Sequence, residues 1–452
     1  MPAMPKDMSY ITASTLFWAT AFVALVWLLP RSPLRISSSR ETQPQCDHDP
    51  LSKIKSSDPK ACLDIMAAKS FYTQGYSIKN ILTIFEARAV PNQRLVRAFG
   101  IHNSFVTSER EESAAFRKQV ETLVYVEEDK WDEFATVARG VVRTQLEAHE
   151  PSLKLGEFVQ LITLKMVRKV IWDIEPEDMV PPHANDSDNK LRILARAINL
   201  QWLSSKSERP GTQAADDTAT SQDEMQAALM ATFPGWDGSD SATNPLNFIL
   251  PAYETLWRVV LLCFIEINAR PHLNRAKWSA ALQNFLEAPA RERLEKPLMS
   301  SDEPVSAIMV AKEVLRLYPP TRRVYRRFQD EAGTQYSVAA DIEAMQRDPA
   351  VWGEDAALLR PERWTSITQA MEDDGRWLPF GAKPFRCPAK RHQGVAMPFG
   401  VSMIALLTGA LLEATEDRWE FQGRGDLPHI DIPLETGRGA YDSAKLVRRV
   451  HK

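Results

Sequence analysis

Residues 244–270, NPLNFILPAYETLWRVVLLCFIEINAR, are apolar on nearly every face. A helix with no polar side has to be surrounded, by lipid or by the rest of a large protein. Glu254 and Arg258 lie near its middle, where ionisable groups make a bilayer an expensive setting. The segment is therefore predicted to be the central helix of a large fold. Pro251 removes one backbone hydrogen bond and predicts a kink. Just beyond it, Glu254 and Thr255 make a polar notch: a capped core acid, or a place to handle protons or a small ligand.

The rest of the chain supplies what such a helix needs. It has 452 residues, no long linker and no internal repeat, so one large core is the simplest organisation. Apolar residues recur at three- and four-residue spacing in SAAFRKQVETLVYV, KWDEFATVARGVVRTQLEAH, LGEFVQLITLKMVRKVIWDI and LRILARAINLQWLSS, which predicts helices. The polar stretch 204–224 reads as an exposed loop or insertion. Strand-like text comes late, in RRVYRRF and in LPHIDIPLET to SAKLVRRV, with a turn at Gly437 and Gly439. The expected fold class is mainly α with small β-sheets.

Composition excludes several function classes. The net charge of −4 is mixed along the chain, so no basic stripe for nucleic acid exists. Cys46, Cys62, Cys263 and Cys387 have neither zinc spacing nor the density of a disulfide framework. Tyr10 to Leu29 carries no charge and, at about 30 Å as a helix, matches a bilayer core. It is longer than a signal-peptide core and PRSPLR follows it, which predicts a retained anchor. Arg31, Arg35 and Arg40 after the span predict that the bulk of the protein faces the cytosol. The expected division is 1–35, anchor and hinge, and 36–452, a single catalytic domain.

Two further clusters carry chemistry. In KEVLRLYPPTRRVYRR, Glu313 and Arg316 share a helix face, and RPERW offers Arg363 as a third member of a buried ionic cluster. In WLPFGAKPFRCPAK, Cys387 sits on a stiff loop ahead of an apolar helix starting near Met397. The helix dipole and nearby cations favour its thiolate. A nucleophile needs a base, and His392 has no third member beside it. Zinc needs more thiols or imidazoles. A thiolate in a dry pocket also suits an axial position on heme iron.

Taken in order, the anchor, the AYET helix, E-x-x-R with YPP, PERW and the Phe-Gly cysteine loop resemble the cytochrome P450 family of heme-thiolate monooxygenases. The resemblance spans essentially the whole chain and is firmest from residue 244 onward. The wording of LRLYPPTRRVYRR, DIEAMQRDPAVWG and PFGAKPFRCPAK is similar to membrane-bound members from filamentous fungi that serve natural-product pathways. The resemblance implies heme b as cofactor, with Cys387 as axial ligand and Phe380 packed beside it. It makes Glu313, Arg316 and Arg363 the scaffold of the cysteine loop. It makes Arg326 and Arg117 propionate partners, although Ser113 stands where the family has a Trp. Glu254 and Thr255 become the acid–alcohol pair of the oxygen groove.

The chain departs from the family's F-G-x-G-x-R-x-C-x-G pattern at Lys383, Phe385 and Ala389. A positive φ at Lys383 would strain the loop. Phe385 removes a propionate contact, and Arg386 is the candidate to replace it. Ala252 stands for the groove's usual Gly. No G-x-G-x-x-G follows a strand, so no nicotinamide is expected. Electrons are expected from NADPH-cytochrome P450 reductase, with Lys383, Arg386, Lys390 and Arg391 as a docking surface or simply a solvated basic rim. The implied reaction is oxidation of a lipophilic small molecule by a single-pass protein of the endoplasmic reticulum. A heme-thiolate rearrangement or dehydration, and a non-catalytic relative of the same fold, are the alternatives. Substrate contacts are expected from 85–125, 195–250, Tyr253 and 430–440.

Overall fold

The computed structural model describes residues 53–73, 75–149, 151–176, 186–206, 212–233, 235–298, 303–390 and 397–449. The predicted anchor at 10–29, and with it the boundary near residue 35, lies outside the described residues. Strand β1 (Lys53–Ser56) is followed by helix α1 (Pro59–Met66), the hairpin β2 (Phe71–Thr73) and β3 (Tyr76–Ile78), and helices α2 (Ile84–Phe99), α3 (Arg110–Val124) and α4 (Glu128–Ala148). Strand β4 (Ser152–Lys154) leads into α5 (Leu155–Trp172), α6 (Asp186–Ser204), α7 (Thr212–Thr232) and α8 (Leu246–Phe264). After these come α9 (Arg275–Glu287), α10 (Ala307–Leu317), the antiparallel pair β5 (Arg323–Gln329) and β6 (Gln335–Asp341), α11 (Phe399–Thr415), β7 (Trp419–Gln422) and β8 (Lys445–Arg448). The sheets are small, in the orders β1-β6-β5, β2-β3 and β4-β8-β7, and among the described residues only the β1–β6 pair is parallel.

Helix α8 is the core element that its composition predicts. Leu246, Ile249, Tyr253, Trp257, Val260 and Phe264 are buried among α5, α10 and α11. By length and hydropathy the stretch Leu246–Ala269 could cross a membrane, but here most of it is buried inside the protein. The helix runs unbroken through Pro251, so the predicted kink does not interrupt it. Pro251 has no N–H to offer the carbonyl of Asn247. The side-chain amide of Asn103 donates to that oxygen instead, at 3.1 Å. Asn244 caps the helix start by accepting from the Leu246 amide at 2.9 Å. It also donates to the carbonyl of Phe99 at 3.0 Å, tying the end of α2 to the same point.

Two expectations change. The polar segment taken as loop is largely helix α7, because TQAADDTATSQDEMQAALMAT is rich in good helix formers despite lacking a broad apolar face. Conversely, LPHIDIPLET is not a strand. Pro428 and Pro433 cannot donate to a ladder. Arg270 takes the carbonyls of Pro428 and Ile432 at 3.0 and 2.9 Å, and the Leu434 amide donates to the Tyr318 hydroxyl at 3.1 Å.

The ionic cluster predicted from E-x-x-R and PERW forms. Glu313 and Arg316 are fully buried on α10. Arg316 grips the carboxylate in a fork, Nε to Oε2 at 2.9 Å and Nη2 to Oε1 at 2.8 Å. Arg363 Nε adds 2.8 Å, the Trp364 indole 2.9 Å and the Arg360 amide 3.0 Å. Burial alone would raise the carboxyl pKa. The charges of Arg316 and Arg363 and these hydrogen bonds outweigh it, so the net direction is down. A depressed carboxylate stabilises the fold above its ordinary range and loses that contribution as pH falls through the lower folded value. Replacing Glu313 by Gln is expected to cost roughly 3–5 kcal/mol, because two guanidiniums lose their buried counter-charge. Urea unfolding should show this at neutral pH, with a smaller gap from wild type in acid. Replacing Asn103 by Ala is expected to cost about 1–3 kcal/mol by orphaning the Asn247 carbonyl, read from the same midpoint.

Candidate active site

The Glu313 cluster reaches the cysteine loop through one residue. Arg316 Nη1 donates to the carbonyl of Gln346 at 2.6 Å, and the Gln346 side chain returns a bond to the Arg316 carbonyl at 2.7 Å. The other end of that amide accepts from the backbone N–H of Leu378 at 2.7 Å, where the loop begins. Trp377 packs edge-on between Trp364 and Phe380, at centroid distances of 5.4 and 5.7 Å. Gly381 turns the chain with φ of +73°, a conformation that favours glycine. The carbonyl of Phe380 then accepts from the Cys387 amide at 2.7 Å, closing the loop. Phe380 also explains Gly400 on α11: a Cβ there would meet the Phe380 ring at 2.6 Å. Lys383 is not in the left-handed region, so the strain expected of it is absent.

The Cys387 side chain is exposed by surface area, yet its surroundings desolvate it enough to raise its pKa. A thiol with both properties faces a recess inside the protein rather than the outer surface. The Ala389 amide, Arg117 and Arg88 pull the pKa back down without cancelling burial. The expected thiolate preference therefore does not hold for the bare thiol, whereas a coordinated metal deprotonates a thiol outright.

Three guanidiniums converge on this recess. Arg326 is buried on β5, donates to the Met66 carbonyl at 3.1 Å and leaves its Nε with no partner. Arg117 on α3 donates to the Arg386 carbonyl at 2.6 Å and pairs with Glu121 at 2.8 Å. Arg88 on α2 was not anticipated from the sequence. It lies over the ring of Phe385 at 4.3 Å and over Phe105 at 4.7 Å. Burial, then Arg326 and Arg117, lower its pKa to about 9, while Cys387 raises it. Burial lowers Arg326 to about 10. Among the described residues Glu121 is the only carboxylate paired with these three cations. Thus the recess offers one sulfur donor and a surplus of positive charge, which fits a group with a thiophilic metal and anionic arms.

Arg386 does not join them. Its Nη2 pairs with Asp373 at 3.1 Å, as does Lys390 at 3.2 Å. Lys390 is buried with its ammonium over Trp377 at 5.1 Å. The basic docking rim expected here is thus largely satisfied internally: Lys383 is exposed, and Arg391 and His392 lie outside the described residues.

On α8, the Thr255 hydroxyl donates to the Pro251 carbonyl at 2.8 Å. Glu254 is buried and forms an ion pair with Arg438, from the segment between β7 and β8. Next to it, Tyr253 is fully buried with no partner for its hydroxyl, and burial holds that phenol well above its ordinary pKa. The sequence marked the 430–440 region for substrate contacts but did not single out Arg438.

No family model matches the chain. It is 40% identical over 92 residues to cytochrome P450 CYP13A5 of Caenorhabditis elegans, covering 18% of this chain and 17% of that protein. It is 30% identical over 143 residues to cytochrome P450 CYP72A616 of Paris polyphylla, 29% of this chain and 26% of that one. These matches span about a sixth to a quarter of the relatives' length. Similar solved structures include a six-coordinate cytochrome P450 from Thermus thermophilus, with a TM-score of 0.52 and 13% identity over 88% of this chain and 99% of that one. The heme domain of cytochrome P450DA matches with a TM-score of 0.55 and 15% identity, covering 88% of each chain. Across most of its length the chain has the fold of these cytochrome P450 structures, and over the matched segments its sequence is similar to cytochrome P450s.

Proposed function

We propose that the chain is a heme-thiolate monooxygenase that oxidises a lipophilic small molecule with O2 and two externally supplied electrons. The observation that carries this reading is the Cys387 thiol, fixed through Gln346 to the Glu313 cluster and faced by three under-neutralised guanidiniums. Heme b held there would supply dioxygen activation, with Cys387 as its axial donor. Arg326, Arg117 and Arg88 would hold its two propionates. Arg88, lying over the Phe385 ring, takes over the charge that the loop lost at that position. Phe380 positions Cys387 through its carbonyl.

The groove residues have a division of labour in this reading. Thr255 gives its own proton to the Pro251 carbonyl, so its oxygen lone pairs are left to accept a hydrogen bond from the groove. Glu254 is the carboxylate behind it, held in place by Arg438. The electron donor is NADPH-cytochrome P450 reductase, the protein is anchored by residues 10–29 in the endoplasmic reticulum, and the product belongs to secondary metabolism. The last three assignments rest on the resemblance of the motifs.

Thr255→Ala is expected to divert electrons from product to hydrogen peroxide. Assays with reductase, NADPH and O2 should show a higher peroxide yield per NADPH, whereas unchanged coupling would remove Thr255 from proton delivery. Arg88→Leu is expected to speed heme transfer to apomyoglobin about tenfold, the scale of one charge-assisted hydrogen bond. Phe385→Arg in the Arg88→Leu background should slow it again. A transfer rate indifferent to Arg88 would assign that residue to packing alone.

A further inference from the structure

A second set of cations gathers beyond Glu254. Arg94 comes from α2, Lys206 from just past α6, Arg258 from α8, Arg322 from the residue before β5, and Arg438 from between β7 and β8. Five separate elements thus deliver positive charge to one place. Arg94 and Arg438 lie over the ring of Trp202 at 5.0 and 4.6 Å. Arg94 donates to the Ser205 hydroxyl at 2.5 Å and Arg438 to Asn199 at 2.7 Å. Arg258 donates to the backbone carbonyl of Glu254 at 3.2 Å, and Arg322 to the Thr436 hydroxyl at 3.2 Å.

Among the described residues, two carboxylates stand against these five charges. Glu254 pairs with Arg438, and Glu343 is already bound by Arg347 at 3.1 Å and by the Thr436 hydroxyl at 2.7 Å. Lys206 has no carboxylate partner among the described residues. Burial and the four arginines hold its pKa down at about 8. Folding alone gives no reason to collect like charges, since each raises the energy of the others. The fully buried Tyr253 hydroxyl, unpartnered and under the charges of Glu254 and Arg438, is a second sign that a polar group is missing from this corner.

We infer that the Arg94–Lys206–Arg438 corner binds the carboxylate of an otherwise lipophilic substrate. This rests on the monooxygenase reading and adds the substrate's headgroup to it. The guanidiniums stacked on Trp202 are preorganised for a planar carboxylate, and Lys206 brings a charge that no acid among the described residues satisfies. Because the Arg438 side chain is buried and shared with Glu254, the headgroup would be anchored next to the groove, with Lys206 on its solvent side.

The test is calorimetric titration of the heme-loaded full chain in nanodiscs, with empty nanodiscs as blank and dodecanoate, dodecan-1-ol and monododecyl phosphate as probes. Dodecanoate should bind at least about tenfold tighter than the alcohol, and rising salt should weaken only the acid. Lys206→Gln, a change at an exposed side chain with no ion-pair partner among the described residues, should cost dodecanoate about tenfold and leave the alcohol unchanged. Arg94→Gln should do the same. Equal affinity for acid and alcohol, no binding of dodecanoate, or a Lys206→Gln variant that weakens both alike would overturn the inference. Tighter binding of the phosphate than of dodecanoate would overturn the carboxylate assignment. Calorimetry does not depend on the iron. A preparation that takes up no heme but still prefers dodecanoate would therefore separate a failed heme reading from a failed headgroup.

Discussion

The buried carboxylate of Glu313 is the point on which the site depends. It accepts from two guanidiniums, an indole and a backbone amide, and its principal partner, Arg316, uses its remaining donors on backbone carbonyls. Such a cluster is a weak source of net stability, because desolvation offsets most of the Coulomb gain. Its value is geometric. Gln346 carries its position to Leu378, Leu378 starts the cysteine loop, and Phe380 sets the Cys387 amide. A sulfur donor is useful to a metal only when its position is fixed, and here the fixing runs through a chain of named hydrogen bonds and packed tryptophans.

Charge is the second theme. A buried guanidinium is normally matched by an acid, yet Arg88 and Arg326 meet aromatic faces and backbone carbonyls instead. Their charge is available to a ligand. A related imbalance recurs around Trp202, where Arg94 leans on the indole with no acid partner among the described residues and Arg438 is shared between the indole and Glu254. Two under-neutralised corners, one beside Cys387 and one beside Glu254, give the protein two places whose charge suits anionic groups.

Much of this was legible in the chain because the signals are local. The α8 segment declared itself by being apolar all round, Glu313 and Arg316 by their three-residue spacing, and the cysteine loop by its Trp-Leu-Pro-Phe-Gly entry. Arg88 and Arg438 gave no such sign. An arginine in an amphipathic helix or a glycine-rich turn looks solvated until the fold brings other elements against it. The loss of arginine at position 385 could be read directly, but the cation over Phe385 belongs to α2, nearly three hundred residues earlier. Likewise β1 found a parallel partner in β6, a pairing set by tertiary contacts, and α7 hid behind a polar composition.

The central claim is that Cys387 binds heme iron as a thiolate, and it has one direct spectroscopic test. The full-length protein, loaded with heme, is reduced and exposed to carbon monoxide. The account predicts the red-shifted Soret band of a thiolate-ligated ferrous carbonyl, lost in Cys387→Ala. Folded, heme-loaded protein without that band would contradict it, as would a band that survives removal of the thiol.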